Sequence, residues 1–130
     1  MPENGKKLSL EEIDVALGSA DEKHVWEAAE ALGEYAELNP DAIWPLVVKH
    51  GSSVNDEVRS AIATCVLEHI LQYHFDRYFP LVENIIRSGN QWFAKTFQIC
   101  WKFGFAERPA NAKRWDELLT RIRELGSNPR

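Results

Sequence analysis

The chain has 130 residues, is 45% apolar and 27% charged, and carries a net charge of −5. That length suits one domain whose core hides roughly two-thirds of the unfolded surface, and the composition excludes a disordered or fibrous chain. No apolar run reaches the ~18 residues of a membrane span, and no apolar stretch follows the two lysines of MPENGKKLSLEE, so no secretory signal is read and a cytoplasmic location is expected.

In chain order, LSLEEIDVAL predicts a first helix, with Ser9 and Glu12 in capping-box spacing and Gly18 as its stop. A second helical pattern carries Val25, Ala28, Ala29 and Leu32. A third runs from Asp41 to the region of Lys49 and contains Pro45. A fourth starts at Asn55, a good N-cap, and is apolar nearly all round through Val58, Ile62, Val66 and Ile70. Such a helix belongs in the centre of a fold. A fifth runs from Asp76 to Arg87 around Pro80, a sixth starts at Asn90, and a last helix over 111–125 shows Trp115, Leu118, Leu119, Ile122 and Leu125 on one face. No stretch alternates with period two, so no sheet is expected. Residues 1–7 and 126–130 read as flexible tails of a single domain spanning 1–130.

The sequence repeats. A shift of 35 superposes Asp41 on Asp76, Trp44 on Phe79, Pro45 on Pro80, Leu46 on Leu81, Asn55 on Asn90, Ile62 on Phe97 and Cys65 on Cys100. A shift of 33 superposes Val25 on Val58 and Leu32 on Cys65. Periods of 20–50 residues mark repeat architectures. With Asp41 and Asp76 as N-caps, each proline is the fourth residue of its helix and bends it around its partner. The other reading starts both helices later, with the prolines in the first turn.

HVWEAAEALGEYA (24–36) and DEVRSAIATCVLEHIL (56–71) resemble second helices of HEAT repeats, especially the short bacterial type also seen in phycobilin lyases. Asp56, Val58, Arg59 and Ala61 carry the likeness in one stretch, and Val25, Ala28, Ala29, Ala31, Leu32 and Gly33 in the other. It covers roughly residues 8–104, and the third unit departs from it, with Ala94 where Arg59 stands. The resemblance implies an all-α fold, an α-α superhelix (a HEAT/armadillo-like solenoid) of about three helix pairs plus a C-terminal capping helix. It also implies prolines in the first helices and a concave side lined by the second ones.

Function is less legible. There is no Gly-rich phosphate loop, nucleophile elbow, His-Glu-x-x-His or Cys-x-x-Cys. Cys65 and Cys100 are expected as buried free thiols. Cys65 and His69 share a helix face, but the equivalent slot in the first unit is Leu32, so a core reading is preferred to a metal site; no metal or cofactor is expected. Residues 1–38 hold three Lys against ten Asp or Glu, whereas residues 105–130 are mildly basic. An acidic front argues against phosphate-backbone contact. Glu27, Glu30, Glu34 and Glu37 recur at helical spacing and form one stripe. In the repeat register this stripe shares an open face with Ser60, Thr64 and Glu68, then Trp92, Lys95 and Ile99. Trp92 stands at the polar position of Glu57 and reads as an interface anchor. The expectation is a non-catalytic protein-binding module that grips a basic protein partner through Glu27, Glu30, Glu34, Glu37, Glu68, Trp92 and Lys95, as a bacterial toxin-immunity protein or small adaptor would. The alternative is an enzyme or enzyme subunit of the HEAT-like lyase or DNA-repair glycosylase kind.

Overall fold

The computed structural model describes residues 8–127, and among them all regular structure is helical, with no strand. No described helix is long and apolar enough to cross a membrane. The expected tail 1–7 lies outside the described residues, as do 128–130, while 126 and 127 belong to the last helix.

Helix α1 (Leu10–Leu17) opens with the expected capping box: Ser9 Oγ accepts from the Glu12 amide, and Glu12 accepts from the Ser9 amide. It buries Ile13 and Leu17 against α2 (Glu22–Gly33), whose N-terminal amides are capped by Asp21. Helix α3 (Pro40–Gly51) follows. Next, α4 (Asp56–Ile62) passes into a π-helical segment (Ala63–Leu67) and then into α5 (Glu68–Arg87). Asn55 caps α4 and Asn90 caps α6 (Gln91–Ile99), both as expected. A 3₁₀ turn (Gly104–Glu107) precedes α7 (Pro109–Ser127).

The two prolines lie inside helices, which removes the reading that places them in a first turn. Asp41 is not the N-cap, however. Asn39 is, and Pro40 takes the first helical position, where its missing N–H costs nothing. Thirty-five residues on, His74 interrupts α5 with φ −134°, ψ 45°, close to the −147°, 57° of Asn39. The 35-residue register is therefore present in the backbone, and each proline follows its break by six residues. Freed from capping, Asp41 accepts hydrogen bonds from the Tyr78 hydroxyl and from Arg77, tying α3 to α5. The Tyr78 bond, then the Arg77 charge, hold its carboxyl below the usual range.

Helices α2, α4 with its π segment, and α6 pack in a row, each against the next. Trp26 Nε1 donates to Glu57 Oε2 at 2.6 Å across the first of these contacts. Gly33 makes the closest approach. A Cβ there would stand 2.2 Å from the Cys65 carbonyl oxygen, so only glycine lets α2 lie this near the π segment. Large rings fill the core beside α7: Phe75 stacks on Phe79 at 4.5 Å, and Phe97 lies 4.7 Å from Trp115. On α7, Trp115, Leu118 and Ile122 are buried as expected, whereas Leu125 is 49% exposed and does not belong to the core.

Candidate partner-binding cleft

The C-terminal half of α2, the π segment and the start of α5 enclose an open cleft of about 470 Å³, lined by Glu30, Gly33, Glu34, Glu37, Thr64, Cys65, His69 and Tyr73. Three of the four stripe glutamates thus share one concavity. Glu30 is on the helix, Glu34 caps it, and Glu37 rides on the turn that follows. His74 fixes that turn: its Nε2 donates to the Glu37 carbonyl at 2.6 Å, so this nitrogen carries the proton. Glu27, one turn earlier, is exposed but stands outside the lining. Among the described residues, no stripe glutamate engages its carboxylate in a hydrogen bond or ion pair.

The opposite wall differs from the expected one, and the π segment is the reason. A π turn contains one residue more than an α turn, so every later position rotates by about 100° relative to a continuous α-helix. The anticipated open row of 60, 64 and 68 becomes 64, 69 and 73. His69 and Tyr73 enter the cleft, and Glu68 turns inward, where it is 6% exposed. Glu68 is therefore not a surface ligand for a partner. Its Oε2 accepts the Trp101 amide at 2.9 Å. Burial pushes its carboxyl above the usual range, against the lowering effect of that bond.

This part-buried hydrogen bond anchors the loop beside the cleft. Phe103 stacks on His69 at 6.4 Å, nearly parallel, and the His69 Nδ1 lies 2.9 Å from Gln72 Oε1. Gly104, at φ 55°, brings the chain against α5, because any Cβ there would meet the Gln72 carbonyl at 2.8 Å. Phe105 then joins Tyr73 in lining an adjoining hollow. Tyr73, Trp101, Phe103 and Phe105 are all exposed. The two hollows share Tyr73, and Arg108 also lines the second, its guanidinium 4.3 Å from the centre of the Phe105 ring.

Trp92 and Lys95 do not line it. Trp92 is half-buried, with the Arg59 guanidinium 4.9 Å above its ring, and Lys95 borders a different cleft. Arg59 is itself buried and bonded to the Ser53 carbonyl and Asp56. Cys65 and Cys100 are free thiols, Cys100 buried and Cys65 half-buried. Burial, then the charges of Glu30 and Glu68, push the Cys65 thiol up to about 11, which keeps it protonated near neutrality and a poor nucleophile. No group of three or more His, Cys, Asp or Glu side chains among the described residues is arranged to hold a metal ion. In comparison with known proteins, the chain matches no protein-family model, no curated protein and no solved structure.

Proposed function

We propose that the protein is a non-catalytic binding module, a short HEAT-like solenoid, which grips a basic segment of another protein in the cleft between α2 and α5. The observation that carries this reading is the meeting of Glu30, Glu34 and Glu37 with Tyr73 and His69 in one concavity, with Phe105 in an adjoining hollow that shares Tyr73. Carboxylates without cationic partners of their own attract Lys and Arg, and aromatic faces complement the same cations. The stripe costs a few tenths of a kcal/mol in like-charge repulsion on an exposed helix, which a cationic ligand relieves. The solenoid reading draws support from the 35-residue recurrence of the backbone break, the inner proline and the Asn cap. An immunity protein that masks a basic nuclease toxin, or a small adaptor, has these requirements.

The test is association kinetics with an immobilised Arg/Lys-rich peptide, and with any partner recovered from native lysate, at low and high salt. Replacing Glu27, Glu30, Glu34 and Glu37 by Gln slows association and flattens its salt dependence, whereas Tyr73→Ala speeds dissociation. Rates unchanged at both salt concentrations in the quadruple variant overturn the proposal.

A further inference from the structure

A second cleft of about 440 Å³ lies between the outer face of α6 and the last turns of α7. Its floor is apolar: Ile86, Ala94 and Ile122 are each less than a tenth exposed. Leu125, which the sequence pattern assigns to the core face of α7, instead stands on the rim of this cleft. Among the described residues that line it, the charged ones are Lys95 and Arg123, with no Asp or Glu, although the chain has twenty acids against fifteen Lys and Arg. Elsewhere Lys49, Arg77, Lys102 and Arg114 are matched to carboxylates. Among the described residues Lys95 has no hydrogen bond or ion pair from its ammonium group, and Arg123 bonds only to Thr120 Oγ1 at 3.2 Å.

We propose that this cleft binds an amphipathic organic carboxylate, its apolar body against Ile86, Ala94, Ile122 and Leu125 and its carboxylate facing Lys95 and Arg123. Two unmatched cations in an acid-free lining select an anion, and the planar guanidinium fork suits the two oxygens of a carboxylate. Charge alone is insufficient, because ion pairs this exposed contribute little. Affinity must come from covering the apolar floor, which a bare inorganic anion leaves wet. The volume is within the range of small-molecule sites. The site is separate from the acidic cleft and does not depend on the function proposed for it.

Amide-resolved NMR titration of the whole chain with octanoate, octan-1-ol and inorganic phosphate tests this. Octanoate gives saturable shifts centred on Ala94, Lys95, Gln98, Ile122 and Arg123. Octan-1-ol binds about tenfold more weakly and phosphate does not saturate. Lys95 and Arg123 are exposed, so Lys95→Gln/Arg123→Gln leaves the spectrum folded; it weakens octanoate about tenfold without altering octan-1-ol. Leu125→Ser weakens both organic probes. Three results overturn the proposal: no saturable shifts in the cleft, equal affinity for octanoate and octan-1-ol, or phosphate binding as tight as octanoate. Octanoate binding that survives the double substitution unchanged does so too.

Discussion

Gly33→Ala perturbs the contact that brings the two walls of the acidic cleft together. The new Cβ would stand 2.2 Å from the Cys65 carbonyl oxygen, whereas real contacts of this kind essentially never fall below 3.0 Å. Helix α2 and the π segment must therefore separate by at least 0.8 Å. A gap of that order forfeits a quarter to a half of the dispersion energy along the seam, on a helix whose buried face carries Val25, Ala28, Ala29 and Leu32. Both clashing partners belong to or sit directly on backbone, so no side-chain rotation relieves the strain. Overpacking costs about 1–3 kcal/mol, and the gain in helix propensity on replacing glycine is at most about 1 kcal/mol and smaller at a helix end. The net expectation is a loss of about 2 kcal/mol, or roughly 7 °C in Tm for a chain of this size. Thermal and urea unfolding followed by circular dichroism measure it. Gly126→Ala is the control, since no atom lies within 4 Å of the added carbon; that variant is neutral or slightly more stable. A Gly33→Ala protein as stable as the parent refutes the close approach of α2 and the π segment.

Three further outcomes follow from buried groups. Glu68→Gln keeps an acceptor for the Trp101 amide but removes a charge that burial disfavours; because the folded-state pKa is raised, the variant matches the parent below the usual pKa of 4.5 and becomes progressively the more stable as pH rises through the folded value, measured by urea unfolding across pH. Asp14→Ala strands the buried His50 ring, whose Nε2 donates to Asp14 at 2.6 Å, and costs about 1–3 kcal/mol at pH 7. The His50 and Lys49 bonds hold the Asp14 pKa below 3.8, so its contribution is present above that pH and disappears as pH falls through the folded value, and the variant loses this part of the parent's acid sensitivity. Ile62→Ala and Phe97→Ala, at equivalent positions of the repeat and both fully buried, cost roughly 2–5 kcal/mol each; losses under half a kcal/mol at both sites in denaturant melts contradict the register.

What was legible in the sequence was local and periodic. Ser9, Asn55 and Asn90 cap as expected because a short polar side chain before an apolar period has little else to do there. Asp41 looked equally qualified, but Pro40 starts the helix two residues earlier and the carboxylate goes to Tyr78 and Arg77, thirty-six residues or more away. The stripe of Glu30, Glu34 and Glu37 was readable because helix spacing and turn spacing agree across Gly33. The facing wall was not: no composition marks the π segment, whose extra residue exchanges Glu68 for His69 and Tyr73. Phe103, stacked on His69, and Phe105, in the adjoining hollow, follow the Glu68–Trp101 hydrogen bond, a contact 33 residues apart that no local pattern announces.

The central claim, that a basic segment occupies the cleft between α2 and α5, is tested most directly by NMR titration with a short Arg/Lys-rich peptide and an acidic peptide of equal length. The expected result is saturable shifts concentrated on Glu30, Glu34, Cys65, His69 and Tyr73 with the basic peptide alone. They weaken with salt and vanish in Glu30→Gln/Glu34→Gln/Glu37→Gln. Shifts spread evenly over all acidic positions, with Glu11 and Glu22 moving as much as Glu34, contradict it.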